Sequence, residues 1–330
     1  MISRSAVIGA GVMGTGIAQH LATAGCDVVL IDTDTTQLDR ARDTITDSSI
    51  IYSNDLTNCR TTDFVIEAVS EDLTLKRQLF RTLSQLLSRD TIIASNTSSL
   101  LIRDLADAVS NHERFLGIHY NNPANFNPIV EIIPTAATEV TLTERLERWY
   151  QASGKQTVIC QDTSGFVLNR QSLPYINEAA RCLDVAAPEC IDAIARSELG
   201  VELGPFAVMN LVGLKVMATA SKNLEILGDG YLAADALQQK AASNEATWQL
   251  DQAAPLPSNL VTATVRDRLL GAMLFPGQDI LRQGLCSRDD LHLICRQALG
   301  YQRSSPELLE QLPGDEIDRL IASYRSGGTG

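Results

Sequence analysis

His119 and Glu131 are the two residues of this chain best suited to move a proton. His119 closes the apolar run Phe115-Leu116-Gly117-Ile118, and Glu131 lies inside Ile129-Val130-Glu131-Ile132-Ile133. A carboxylate in such a run is costly to bury unpaired. A histidine partner relieves that cost, and the carboxylate in turn holds the imidazole in one tautomer and raises its basicity. Of the other histidines, His20 sits within a helical pattern, and His112 and His292 have polar neighbours. Taken alone, His119 reads as a hydrogen-bonded structural residue rather than as a catalyst.

A second group can bind phosphate. Gly9-Ala10-Gly11-Val12-Met13-Gly14 follows the apolar run Ala6-Val7-Ile8 and opens a helical pattern. In this spacing Gly9 permits a tight turn, Gly11 leaves room for a pyrophosphate and Gly14 lets helix and strand pack closely, while the helix N-terminus attracts the phosphates. Asp32 ends the next strand and is placed to accept hydrogen bonds from ribose hydroxyls. Its charge opposes a 2′-phosphate, and no arginine follows before Arg40, so NAD is expected rather than NADP. FAD shares the fingerprint but suits the remaining residues poorly.

The elements that must carry these groups alternate. Strands are expected at 6–8, 28–31, 50–51, 64–66, 91–94, 115–118, 129–133 and 157–160, with helices at 13–24, 35–46, 73–87, 100–109 and 142–152. Such alternation predicts an α/β domain, a doubly wound Rossmann parallel sheet covered on both faces, over residues 1–161. His119 then falls at the carboxyl edge, where such sheets place their sites. From residue 162 to 330 strand signals almost vanish, and an all-helical domain for substrate and dimerisation is expected, with substrate in the cleft between the two. Within it Asn169-Arg170 through Leu199-Gly200 is echoed by Asp267-Arg268 through Leu299-Gly300, so two repeated units, 162–250 and 256–330, are an open possibility. A polar linker at 251–259 and a disordered tail at 325–330 complete the reading.

Composition narrows the partners. A formal charge of −13 argues against nucleic acid and anionic membrane surfaces. The seven cysteines are scattered, without a CxxC pair, as expected of reduced thiols in a cytoplasmic protein, and nothing in the spacing calls for a metal. No secretory leader is evident, and the most apolar stretch, 207–220, is interrupted by Asn210 and Lys215 and is too short to span a bilayer.

With these residues on the page, the chain resembles the L-3-hydroxyacyl-CoA dehydrogenases up to about residue 215, more loosely beyond. The motifs are the glycine fingerprint, Val65-Ile66-Glu67-Ala68, Ser95-Asn96-Thr97-Ser98-Ser99-Leu100, His119 with Asn122-Pro123 and Glu131, Asp162 through Arg170, Gly204-Pro205-Phe206 and Asn210 through Leu214. The resemblance implies that His119 takes the hydroxyl proton as hydride leaves for the nicotinamide, and that Glu131 supports the imidazolium. It implies that Ser98 and Asn169 bond the reacting oxygen and acyl group, that Asn122 helps hold that region, that Glu71 and Lys76 lie near the nicotinamide ribose, and that Asn96 lies on the cofactor side. Without it, Ser98 reads as a helix N-cap and Asn169 as a helix surface residue.

Two departures bear on the substrate. Acyl-CoA members of the family carry a long helical excursion over the CoA, yet here about thirty residues separate Asp32 from Asp63. The loop after His119 carries Tyr120 and the amides Asn121, Asn125 and Asn127, which suits a polar acyl group. Its Asn-Pro-Ala and Pro-Ile-Val-Glu spacing is similar to the L-gulonate 3-dehydrogenase and carnitine dehydrogenase branch. Three readings follow. The first is a dehydrogenase of an L-3-hydroxyacyl thioester, on CoA or on an acyl carrier protein. The second acts on a free polar 3-hydroxy acid, with Arg170 as the cation for its carboxylate. The third is a non-catalytic NAD-binding or crystallin-like protein. Single-copy members dimerise through the helical domain, so the chain is expected to be a homodimer or, if that domain is duplicated, a monomer.

Overall fold

A computed structural model describes residues 2–45, 49–243, 247–251 and 257–327 of the chain. It divides into two compact units, Met1–Thr163 and Ser164–Gly330. Among the described residues no helix is long and apolar enough to cross a membrane.

The first unit is built on eight strands: β1 (Arg4–Ile8), β2 (Asp27–Ile31), β3 (Ile50–Ser53), β4 (Phe64–Glu67), β5 (Ile92–Ser95), β6 (Phe115–Tyr120), β7 (Ile129–Pro134) and β8 (Gln156–Ile159). They form one sheet in the order β3-β2-β1-β4-β5-β6-β7-β8. Helices α1 (Val12–Thr23), α2 (Thr35–Thr44), α3 (Leu73–Leu86), α4 (Ile102–Ala106) and α5 (Val140–Ala152) connect them. β4, β5 and β6 are buried throughout, which explains why their sequences are continuous apolar runs rather than alternating ones. α2 stops at Thr44, and the expected last helical residue, Thr46, lies outside the described residues.

The strand order reverses between β1 and β4, and this switch point opens a crevice at their carboxyl ends. The sheet is not parallel throughout. β7 pairs antiparallel with β6, and β8 runs with β7. The physical reason is length, because residues 121–128 can close a return between neighbours but cannot cross over the sheet. That return sets His119 directly opposite Glu131 in the strand register.

The second unit is helical: α6 (Leu168–Arg181), α7 (Pro188–Ile194), α8 (Pro205–Val212), α9 (Leu214–Leu224), α10 (Asp235–Ala242), α11 (Asn259–Gln283), α12 (Arg288–Leu293), α13 (Ser305–Gln311) and α14 (Gly314–Gly327). α7 and α12 each continue into a π-helical turn, at Ala195–Leu199 and Ile294–Ala298. Gly200 (φ 68°) and Gly300 (φ 66°) follow them in the left-handed region. The two corners bond reciprocally, Gln302 N donating to Gly200 O at 2.8 Å and Glu202 N to Gly300 O at 3.2 Å. Long side-chain bonds repeat the exchange: Arg170 of α6 reaches Asp279 of α11, and Arg268 of α11 reaches Glu178 of α6, each at 2.6 Å. The expected tail disorder is corrected in part, since α14 runs through residues 325–327. Residues 328–330, and 252–256 of the expected linker, lie outside the described residues.

Candidate active site

After β1 comes Gly9, whose φ of +103° suits glycine, and a Cβ there would lie 2.5 Å from the carbonyl oxygen of Ala68, just past β4. A Cβ on Gly14 would overlap the Gly9 carbonyl, so these two glycines are needed for the turn itself. Gly11 is different, with nothing within 4 Å of where its Cβ would stand. It is also the N-cap of α1, and no side chain caps that helix. Open space before an uncapped helix N-terminus suits a pyrophosphate, which accepts the N–H bonds a capping side chain would otherwise take. Val12 beside it is 79% exposed, and Met13 packs against the sheet core. At the end of β2, Asp32 accepts from Ala10 N at 2.7 Å and Asp34 N at 2.9 Å, which fixes its carboxylate beside the glycine turn with lone pairs remaining for ribose hydroxyls. These residues fit NAD.

Beyond β4 the expected cofactor residues Glu71 and Lys76 belong to a polar network. Lys76 Nζ lies 2.5 Å from Glu67 and 3.2 Å from Glu71, and Ser95 Oγ donates to Glu67 at 2.7 Å. Burial pushes the Glu67 carboxyl up, against the attraction of Lys76. At Glu71 burial pushes upward too, but Lys76, Thr97 and Ser99 outweigh it and hold the carboxyl below its usual range. One oxygen of Glu71 accepts from Thr97 Oγ1 (2.5 Å), Ser98 N (3.0 Å), Ser99 N (3.0 Å) and Ser99 Oγ (2.9 Å). Glu71 is therefore a clamp on the loop that carries Ser98. The reading of Ser98 as a helix N-cap is corrected: α4 starts at Ile102, and Asp162 takes the N–H groups of Ile102 and Arg103, each at 2.8 Å.

His119 Nδ1 lies 2.6 Å from Glu131 Oε2, with the histidine 6% and the glutamate 0% exposed. Asn96 binds the end of the same strand, its Oδ1 accepting from Tyr120 N at 2.8 Å. Asn122 is half-buried in the following loop, next to the cis bond Asn122–Pro123. Two amides that suggested a polar acyl pocket have structural work instead. Asn125 Nδ2 donates to Gln19 Oε1 of α1 at 2.7 Å, and Asn127 Oδ1 accepts from Ile129 N at 3.0 Å. The loop leaves Phe126 80% exposed.

In the second unit Asn169 is half-buried on the first turn of α6, just after Gly165 (φ 70°) and Phe166 (φ 47°). A non-glycine residue in the left-handed region costs roughly 1–2 kcal/mol, so the start of α6 is held by its surroundings. Arg170 is 2% exposed and bonded to Asp279 and, at 3.1 Å, to Tyr231 Oη. Burial pushes Asp279 up, but Arg170, Arg282, Tyr231 and Gln283 together hold it well below the carboxylate range. Arg170 is thus a buried structural cation rather than one presented to a substrate carboxylate. Among the described residues no group of three or more His, Cys, Asp or Glu is arranged for a metal ion.

Sequence reasoning did not single out Glu67 as the hub of a network, nor Lys155, which bonds the loop after His119 from beneath. The available signal for both is a charged residue bordering an apolar strand.

Residues 4–163 match the NAD binding domain of 3-hydroxyacyl-CoA dehydrogenase, and residues 165–254 match its C-terminal domain. The chain is 37% identical over 233 residues to the 3-hydroxyadipyl-CoA dehydrogenase of Escherichia coli, covering 64% of this chain but only 49% of that relative, so it spans about half of that protein's length. It is 35% identical over 242 residues to the human mitochondrial hydroxyacyl-coenzyme A dehydrogenase, covering 65% of this chain and 77% of the relative. Among solved structures, a 3-hydroxybutyryl-CoA dehydrogenase from Escherichia coli K12 superimposes over 99% of this chain and 95% of its own with a TM-score of 0.84. Its 24% identity speaks for the fold alone, and the overlay takes in the residues beyond 254. An (S)-3-hydroxybutyryl-CoA dehydrogenase from Ralstonia eutropha gives a TM-score of 0.68 at 30% identity, covering 73% of this chain and 94% of that one.

Proposed function

The chain belongs to the 3-hydroxyacyl-CoA dehydrogenase family, and from that premise we propose that it interconverts an L-3-hydroxyacyl thioester and its 3-oxo form with NAD. The observation that carries this is the 2.6 Å His119–Glu131 pair on an NAD-binding sheet. When bound, the nicotinamide accepts or supplies the hydride. Glu131 accepts a hydrogen bond from Nδ1–H and so leaves Nε2 as the basic nitrogen. In oxidation Nε2 takes the substrate hydroxyl proton, and the buried carboxylate stabilises the imidazolium that forms. In reduction the same nitrogen returns the proton to the 3-oxo oxygen. Ser98, fixed by the Glu71 clamp, donates to the reacting oxygen. Asn122 and Asn169 hold the acyl group, and Asn96 and Lys76 keep the strand and loop ends near the cofactor in place.

The thioester is carried on CoA or on an acyl carrier protein. Among the described residues between Asp32 and Asp63 stand α2, β3 and the short turn Leu56–Cys59, too little to cover a CoA nucleotide. A carrier protein needs no such cover, because only its pantetheine enters. With Asn125 and Asn127 committed to the loop and Phe126 bare, the free polar acid is the weaker reading. All seven cysteines are thiols, which suits the cytoplasm. The reciprocal bonds of the helical unit support a duplication that lets one chain close what two copies otherwise close, so a monomer is expected by sedimentation.

The test is NADH oxidation at the nicotinamide absorbance band with acetoacetyl-CoA, a carrier-bound 3-oxoacyl group and a free 3-oxo acid. Turnover of a thioester is the expected result, with the carrier-to-CoA ratio reading out the missing cover. Turnover of the free acid alone overturns the proposal.

A further inference from the structure

We propose that Lys155 is a positioning residue for the loop 121–128, bracing from beneath the segment that carries Asn122 beside His119 and so setting how tightly the site grips the acyl group. What is gripped rests on the thioester reading; the brace rests on the loop's own geometry.

The brace begins with how α5 ends. Gly154 takes a φ of +88°, its N–H donates to Gln151 O at 3.2 Å, and Lys155 N donates to Tyr150 O at 3.0 Å. This paired bonding is a Schellman turn. The next residue, Gln156, donates its N–H to Pro128 O at 2.7 Å and starts β8. The turn drives the Lys155 side chain inward until the residue is 5% exposed. There Nζ donates to Asn127 O (2.6 Å), Ala124 O (2.8 Å) and Asn125 O (3.4 Å). An ammonium has three protons, and the loop offers three carbonyls.

Among the described residues no carboxylate pairs with this ammonium. A buried unpaired cation is costly, and here the carbonyl cradle offsets that cost. The dependence runs both ways, because without the lysine these carbonyls lose their donor inside the protein. The Tyr120 ring lies 5.9 Å from Nζ. The titratable groups nearby are His20 of α1, Tyr120 of β6 and, bonded to the Tyr120 hydroxyl at 3.2 Å, Tyr150 of α5. All are uncharged near neutrality, since burial pushes His20 down to about 4 and both tyrosines upward. Burial pushes Lys155 itself down to about 8. Above that pH the neutral amine has two protons for three carbonyls and no charge, so the loop loosens. The remaining brace comes from α1, where Asn125 bonds Gln19 and a Cβ on Gly16 would meet Ala124 at 3.1 Å.

The experiment uses the full chain in two arms. Hydrogen exchange compares the wild type with Lys155→Met, which keeps length and loses the donors, and Lys155→Gln, which keeps two protons without charge. Exchange over 121–128 is expected to accelerate about tenfold or more in Lys155→Met and less in Lys155→Gln, with α1 unchanged. The second arm measures binding of acetoacetyl-CoA in the presence of NAD+ on a His119→Ala background, so that the histidine contributes no titration. Affinity is expected to fall about tenfold from about pH 6.5 to about pH 9.5, with NAD+ affinity flat. Adding Lys155→Met is expected to make binding weak and independent of pH. If exchange over 121–128 is unaltered, or the pH profile survives the lysine's removal, the proposal is overturned. Should Lys155→Met not fold, Lys155→Gln and the parent pH profile decide the matter. If the wild type binds no thioester at all, it is the thioester reading that fails, and the exchange arm still decides whether Lys155 braces the loop.

Discussion

The sheet unit buries Glu67, Lys76, Glu131 and Lys155 beside the ends of strands and the loops that follow them, whereas the helical unit buries Arg170, Glu178 and Arg268 between α6 and α11. The residue types are the same and the uses differ. In the first unit the buried charges hold groups beside open chemistry: Glu67 holds Lys76, Lys76 reaches the exposed Glu71 that clamps the Ser98 loop, Glu131 holds the imidazole, and Lys155 the loop with Asn122. In the second unit these charges form ion pairs across two helices, Arg170 with Asp279 and Arg268 with Glu178. A buried ion pair is weak evidence for net stability, but breaking one partner out of it is costly. On the function proposed above, one set serves catalysis and the other assembly, and each half of that contrast can be broken.

The largest effect is expected from His119→Ala. Loss of a positioned acid–base group removes on the order of 10²- to 10⁴-fold in turnover, while NADH binding stays within about twofold because the Gly9 and Asp32 cradle is on other elements. Steady-state kinetics with NADH titration checks both halves. Near-normal turnover would remove the first unit's claim to the chemistry.

Glu178→Ala addresses the other side. It leaves Arg268, bonded at 2.6 Å, and Arg181, bonded at 3.1 Å, without their shared carboxylate. A loss of about 3 kcal/mol or more is expected from stranding buried charge, read as a lower denaturant midpoint for the helical unit. Turnover by the protein that remains folded is expected to be unchanged. A tenfold fall in kcat with the fold intact would show that the two sets are not separable.

Acid separates the units on a smaller scale. His20 is 6% exposed, bonded through Nδ1 to Tyr120 Oη at 3.0 Å, and burial with the nearby Lys155 charge lowers its pKa to about 4. The unfolded chain binds this proton near pH 6.5 and the folded one near 4, so stability is full above the unfolded value and declines as pH falls through the window between them. At pH 5 the loss is at most about 2 kcal/mol. His20→Phe is expected to flatten the pH dependence of unfolding in the sheet unit. An unchanged slope would mean that other groups govern it.

How far these features were visible in the sequence follows from how local they are. The glycine fingerprint and Asp32 obey spacings dictated by one strand, one turn and one helix. The His119–Glu131 pair was legible because twelve residues, an apolar run on each side and a short return leave few registers open. The same return should have announced the antiparallel β7, which strand alternation alone concealed. Arg170 and Asp279 are 109 residues apart and Arg268 and Glu178 are 90 apart, so no local pattern ties either pair. Arg170 consequently read as a free cation for a substrate. Asn125 and Asn127 misled for a different reason: an amide in a loop serves a ligand or its own backbone, and composition does not distinguish them.

Glu71 tests the comparison at its finest point, because it makes structural bonds on behalf of the site. The family resemblance sets it near the nicotinamide ribose, whereas its observed partners are Thr97, Ser98, Ser99 and Lys76. Glu71→Gln keeps one accepting oxygen, removes the charge and turns two donor protons toward groups that also donate. If Glu71 is chiefly the clamp on Ser98, kcat falls about tenfold, equivalent to about 1.4 kcal/mol, while NADH affinity moves by less than about threefold. A ribose contact predicts the reverse, with NADH affinity falling and kcat nearly preserved at saturation. The clamp is the expected result, since four donors converge on one oxygen of Glu71 and two of them belong to the backbone on either side of the Ser98 side chain.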